Sequence, residues 1–165
     1  MSPYDVNNVY SIKNLLTNGT LNFLLYYPTM KQQILNIETN GRGTYEISSD
    51  IQHVIGTNNI QSGLCHIFLQ HTSASLILCE NADPSVRTDL ENFMVRIAPD
   101  GDPSYVHDME GPDDMPAHIR TILTQNSLTI PIVNGQCALG TWQGIYLWEH
   151  RTIGHRRTLV ITIQN

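Results

Sequence analysis

The last third of the chain is a succession of short apolar runs broken by turn residues, and this constrains the fold more than any other feature. Residues 128–133, 138–139, 145–148 and 158–163 each read as a strand, carrying the β-branched and aromatic residues that suit a pleated, half-buried surface. Asn134-Gly135 lies between the first two. That pair is the strong signal of a two-residue hairpin, because both central positions of such a turn need positive φ. Strands and helices do not alternate regularly enough for a doubly wound parallel sheet. The prediction is therefore an α+β fold, a single domain of largely antiparallel sheet with two or three helices.

The rest of the chain fits that frame. Ile34, Leu35 and Ile37 predict a strand that ends at Asn40-Gly41, and Tyr45 to Ile47 a second short one. Ser49 or Asp50 is placed to cap a short helix carrying Ile51, Val54 and Ile55, with Gly56 at its end. Residues 64–70 and 75–79 read as two further strands around a polar break. The clearest helix starts at Asp83-Pro84, with Asp83 as N-cap and proline at the first position, where its missing N–H costs nothing. Val86, Leu90, Phe93, Met94 and Ile97 follow at helical spacing, and this stripe is expected to be core. A last helix is expected from Asp113 or Asp114, with Pro116 in its first turn and Ile119, Ile122 and Leu123 facing inward.

Composition narrows the class of function. At 165 residues one domain should bury roughly 70% of its extended-chain surface. Charged residues make up only 15% of the chain, against about 25% in a typical soluble domain, which fits a surface partly covered in an oligomer. A net charge of −6 argues against nucleic-acid binding, which needs clustered cations to displace counterions. Arg151, Arg156 and Arg157 gather late in the chain, enough for a small anionic ligand. Three scattered cysteines without a CxxC pair argue against a thiolate zinc site and a disulfide scaffold. Cys65 and Cys79, in apolar runs, are expected to be buried and inert, and a reducing cytoplasm fits. The apolar run at residues 21–27 falls far short of the ~20 residues that span a bilayer. Residues 1–30, Asn-rich and nearly uncharged, are expected to form a loosely attached extension ahead of a domain at residues 31–165.

Three constellations carry chemistry. Between Tyr105 and His118 lie two imidazoles and four carboxylates: His107, His118, Asp108, Glu110, Asp113 and Asp114. Neutral imidazole suits zinc and carboxylate suits magnesium, so a divalent metal is expected here. Helix capping is the rival explanation for Asp113 and Asp114. The second constellation, Gln70-His71-Thr72-Ser73-Ala74-Ser75, sets an imidazole among hydroxyls and small residues. It fits phosphate oxygens or a polar small molecule. Glu80, one strand later, can face the same cavity. In the third, Trp142 and Gln143 sit between Gly140 and Gly144, a bend that can expose an indole edge and an amide, although Trp142 equally suits a core. Glu149 and His150 are adjacent, so on a strand they face opposite sides. No P-loop, GxGxxG, HExxH or Ser-His-Asp order is present.

His71-Thr-Ser-Ala-Ser-Leu, Glu80-Asn-x-Asp83-Pro, Tyr105-x-His107-Asp108, Gly111-x-Asp113-Asp114-Met-Pro-x-His118-Ile and Gly140-Thr-Trp-Gln-Gly-Ile occur in this order and spacing. Together with Glu149-His150-Arg151 they resemble the signature of the YjbQ-like family, also described as secondary thiamine-phosphate synthase, over residues 31–165. The resemblance implies an α+β fold, a homotrimer with pockets near subunit boundaries, and a transferase joining a pyrimidine diphosphate to a thiazole phosphate with release of pyrophosphate. It further implies that Asp108, Asp113 and Asp114 hold a divalent ion, that Thr72, Ser73 and Ser75 bind a phosphate, and that Trp142 flanks the pyrimidine.

Two other readings stand beside the transferase. In a metal-dependent hydrolase His71, His107 and His118 would hold zinc, with Glu80 or Glu149 as base. In a non-catalytic trimer the same pocket would sense a phosphorylated metabolite.

Overall fold

The computed structural model describes residues 11–17, 20–26 and 30–165. Every strand pairing is antiparallel. Among the described residues β1 (Ser11–Thr17) and β2 (Thr20–Tyr26) form a two-stranded sheet of their own. Half of residues 1–30, the segment expected to be loosely attached, lie outside the described residues.

The domain proper has two sheets. β3 (Met30–Glu38), β5 (Ser62–Leu69), β7 (Ser127–Val133), β8 (Gln136–Cys137) and β10 (Arg156–Gln164) form one, ordered β3-β10-β5-β7-β8. β4 (Gly43–Glu46), β6 (Ala74–Glu80) and β9 (Gln143–Glu149) form the other, ordered β4-β9-β6. β10 alternates buried and part-exposed residues along its length, as a strand with one covered face must. Leu159, Ile161 and Ile163 meet Ile67 and Leu69 of β5, Ile130 and Ile132 of β7, and Leu76, Ile145 and Leu147 of the second sheet in one core. α1 (Ser48–Thr57) adds Ile51, Val54 and Ile55 to it.

β9 is buried on both faces from Gly144 to Glu149. Ile145 and Leu147 enter the core, while Tyr146 and Trp148 turn to α2 (Pro84–Ile97): Arg87 stacks over the Tyr146 ring and Trp148 Nε1 donates to Glu91 at 2.9 Å. α3 (Asp114–Leu123) runs beside β6, and Gln125 after it bridges to Leu76. The Asn134-Gly135 turn is as expected, with φ of 52° and 75° at its two central residues. Asp83 caps α2 through Ser85 N–H at 2.8 Å.

Other local expectations fail for identifiable reasons. α1 begins at Ser48 with Ile47 as N-cap and no side-chain cap, so Ser49 and Asp50 lie inside the first turn. Gly56 does not end α1, and the positive φ that follows belongs to Asn59. The α2 stripe is not core: only Met94 is buried, Val86 and Leu90 are half-buried, and Phe93 and Ile97 are 48% and 43% exposed. Periodicity identifies an apolar face but not what covers it. On α3, Ile122 and Leu123 point outward at 80% and 57% exposure, and the buried face is Asp114, Pro116, Ala117 and Arg120. The expected strand at residues 138–139 lies two residues earlier, because β8 must pair through the hairpin to Val133 and Ile132. Cys65 is buried and its thiol is pushed up to about 12 by burial, whereas Cys79 is only half-buried. Among the described residues no helix is long and apolar enough to cross a membrane.

Candidate functional site

The order of the ladders places the candidate residues at two ends of the three-stranded sheet. Ala74 pairs with Glu149 at one end of the β6–β9 ladder, and Glu80 pairs with Gln143 at the other. Six residues of strand separate them, roughly 20 Å. His71 to Ser75 and residues 149–157 therefore share one end with the start of α3, while Glu80, Trp142 and Gln143 stand at the other. Trp142 is 64% exposed, so its indole is presented rather than packed. Gln143 uses its amide oxygen to accept from Gly140 N–H at 2.8 Å.

At the first end, three side chains converge. Asp114 and His118, one turn apart on α3, meet His107 from the preceding loop, and one donor atom from each lies within 4.8 Å of the others. The rings of His107 and His118 are 5.4 Å apart. His118 Nδ1 is 2.8 Å from the Thr72 carbonyl, which can only accept. Nδ1 therefore carries a proton, which in the neutral ring leaves the lone pair on Nε2, the arrangement usual for metal-binding histidines. Asp114 is buried, and Oδ1 accepts from Arg151 Nη1 at 2.5 Å. Oδ2 is buried with no hydrogen-bond partner, although His107 Nε2 lies 2.8 Å away. Two lone pairs at that distance repel unless a cation or proton sits between them.

Asp113 precedes Asp114 but does different work. It is the helix N-cap residue without a side-chain cap, so the capping explanation fails for it. Its carboxylate accepts from Thr152 N–H at 2.7 Å, Thr152 Oγ1 at 2.9 Å and Arg151 Nε at 3.2 Å. Burial alone would raise its pKa, but the Thr152 and Arg151 hydrogen bonds prevail and hold it at about 2. Asp113 therefore ties the 151–152 loop to α3. Asp108 is exposed, and its backbone carbonyl closes a turn with Gly111 N–H.

His71 stands next to this trio without joining it. Its Nε2 accepts from Thr158 N–H at 2.8 Å, and Nδ1 is 3.4 Å from Arg157, so the lone pair a metal would need is already engaged. Burial and the Arg157 charge lower its pKa, leaving the ring neutral at pH 7. His71 and Thr72 nevertheless line a cavity of about 450 Å³ together with His118 and Thr121.

Behind the cavity lies a closed network. Glu149 is fully buried and binds Arg157 through both oxygens, while Thr39 Oγ1 donates to it at 2.8 Å and Arg151 N–H at 3.0 Å. Burial would raise its pKa, but the Arg157 hydrogen bonds lower it, so it is a locked anion rather than an available base. His150 is fully buried on the other side, bonded through Nε2 to Ser75 Oγ at 2.9 Å. Burial, with the nearby charges of Arg120, Arg42 and Arg157, lowers its pKa to about 3. Ser75 is thus internal, and of the three expected ligand hydroxyls only Thr72 is exposed. Arg151 and Arg157 are engaged internally rather than open to an anion.

Arg120, Thr121, Thr124 and Asn126 carried no role in the sequence reading, yet Arg120 is a fully buried partner of Glu91 and the other three line the cavity. A signal existed for one of them: His118 and Thr121 are three apart on a helix and share a face.

The matches to known proteins agree with this fold. The model of the UPF0047 protein YjbQ-like family matches residues 33–165. UPF0047 protein sll1880 of Synechocystis is 50% identical over 132 residues, covering 80% of this chain and 90% of that protein. UPF0047 protein YjbQ of Escherichia coli O157:H7 is 43% identical over 134 residues, covering 81% and 96%. A crystal structure of a yjbq/upf0047 family protein from Clostridium acetobutylicum superposes with a TM-score of 0.70 at 30% identity, covering 81% of this chain and 98% of that one. A YbjQ-like protein of unknown function from Sulfolobus solfataricus has the same fold, with a TM-score of 0.73 at 20% identity and coverage of 83% and 99%. The chain belongs to the YjbQ-like UPF0047 family.

Proposed function

We propose that the protein is a metal-dependent hydrolase of a small polar metabolite, with His107, Asp114 and His118 as the metal ligands. The observation that carries this reading is the convergence of one donor atom each from His107, Asp114 and His118 within 4.8 Å, with the buried Asp114 Oδ2 2.8 Å from His107 Nε2. Two imidazoles and one carboxylate suit zinc or a neighbouring first-row ion better than magnesium, which prefers oxygen ligands. The chemistry such an ion supplies when bound is Lewis acidity toward water and toward a carbonyl or phosphoryl oxygen. The protein's own groups orient and shield. Thr72 O holds the His118 ring in one tautomer, Arg151 fixes the Asp114 carboxylate, and neutral His71 borders the cavity.

The competing transferase reading asks carboxylates to hold the ion. Asp113 is committed to Arg151 and Thr152, and Asp108 lies on an exposed turn, so imidazole-centred chemistry has the better support. The exposed apolar residues Phe93, Ile97 and Leu123 support burial of these faces in a homotrimer, measurable by light scattering.

Metal analysis of gently purified protein tests the proposal. Stoichiometric metal that is lost in His118→Ala, with hydrolysis of a polar ester or phosphoester panel lost in parallel, is the expected result. Metal-free active protein would sink it. Product formed from pyrimidine diphosphate and thiazole phosphate, without hydrolysis of the panel, would favour the transferase. Ligand binding with no turnover would favour a sensor.

A further inference from the structure

The cavity beside His118 continues into a second depression of about 340 Å³, because His71, Thr72 and Asn126 line both. Among the described residues, no Asp, Glu, Lys or Arg lines either part. Arg157, which approaches His71 at 3.4 Å, is buried and matched by Glu149. His71 is neutral at pH 7, as burial and Arg157 lower its pKa. Away from its His118 end, the groove offers no side-chain counter-charge to a phosphate.

The two hydroxyls on α3 and just beyond it, those of Thr121 and Thr124, are polarised in one sense. Thr121 Oγ1 donates to the Ala117 carbonyl at 2.9 Å, and Thr124 Oγ1 to the Arg120 carbonyl at 2.7 Å. A hydroxyl has one proton and two lone pairs, so with the proton given to the helix each presents only lone pairs to the groove. At these two positions phosphate oxygens would meet acceptors, whereas ligand O–H or N–H groups would meet partners. Asn126 adds a carboxamide and Ile122 an apolar wall.

We infer that the groove from His118 to Asn126 binds the uncharged, hydrogen-bond-donating part of the substrate, a hydroxyl- or amine-bearing group, and excludes phosphate. The inference rests on the metal reading only in taking the reacting group to lie at the His118 end. Thr124 is six residues from His118, roughly 9 Å along the helix, so the two ends can be observed separately.

The test uses the full chain, with its metal content measured, in amide-resolved NMR titrations. The neutral probes are erythritol and 2-aminopyrimidine, and the anionic probes are inorganic phosphate and methyl phosphate. Saturable shifts at Thr121, Thr124 and Asn126 with a neutral probe support the inference, and the better probe distinguishes a hydroxylated from an amine-bearing ligand. Thr121→Val and Thr124→Val, which keep the side-chain shape, should each weaken that binding about tenfold. Three results would overturn it: no saturation by either neutral probe, binding unchanged in both valine variants, or phosphate shifting Thr124 and Asn126 more tightly than the neutral probes. Gently purified protein that holds no metal, is active and still binds a neutral probe breaks the metal reading and leaves this one intact. Metal-loaded protein that prefers phosphate at Asn126 does the reverse.

Discussion

Two polar centres lie back to back at one end of the three-stranded sheet, both made of carboxylate and imidazole with arginine alongside. In the Glu149–Arg157 network the carboxylate is fully buried, both of its oxygens are bonded, and the neighbouring His150 is sealed against Ser75. In the His107–Asp114–His118 group one imidazole is half exposed, another borders a cavity, and a buried carboxylate oxygen is left without a hydrogen bond. The residue types barely differ. What differs is whether the lone pairs are spoken for: a satisfied buried network rigidifies, while an unsatisfied one is open to a ligand.

Breaking the closed centre should have the largest effect on the fold. Glu149→Ala leaves Arg157 buried without its partner, expected to cost about 3–5 kcal/mol and lower Tm by about 10 °C in calorimetry. Equal Tm for mutant and wild type would show that the pair is not structural. The open centre should respond in the opposite way. His118→Ala is expected to weaken zinc binding on the order of 100-fold by competitive chelator titration, with Tm of the metal-free protein nearly unchanged. A large loss of Tm instead would make this group structural as well.

Two smaller effects sharpen the contrast. Ser75→Ala removes the hydroxyl partner of His150 Nε2 and should cost about 1–3 kcal/mol in urea denaturation, without altering metal content. The last effect is on pH dependence. An unfolded histidine takes up a proton near pH 6.5, but His150 in the fold does so only near about 3. The unfolded chain therefore binds more protons between those values, and stability falls as pH drops from 6.5 toward 3. The slope contributed is at most about 1.4 kcal/mol per pH unit. His150→Gln should flatten that part of the stability curve; an unchanged slope would place its origin in other groups.

Local signals were legible where they acted alone. Asp83-Pro84 begins α2 and Asn134-Gly135 turns β7 into β8, because caps and tight turns depend on a few neighbouring residues. Signals that depended on a covering layer were not. The α2 stripe is apolar at helical spacing, yet Phe93 and Ile97 stay exposed in the single chain. The candidate site was legible as a set of residue types and only partly as a grouping. His107 and His118 were paired in the sequence and meet in the structure, while His71 was placed with them and instead binds Thr158 N–H. Asp114, four residues before His118, supplies the third donor, a spacing that becomes a shared face once the helix start is known.

From the sequence alone followed the antiparallel α+β architecture, the main helix and hairpin boundaries, and the segments in which chemistry concentrates. These rest on period, turn geometry and composition, which are properties of neighbours along the chain. Tertiary structure decided that Glu149 is a locked anion, that Ser75 is internal, that Glu80 and Trp142 stand at the far end of the sheet, and that Asp114 turns one buried oxygen toward His107. Strand register and burial determine which lone pairs are satisfied, and both arise from contacts between residues far apart in the chain.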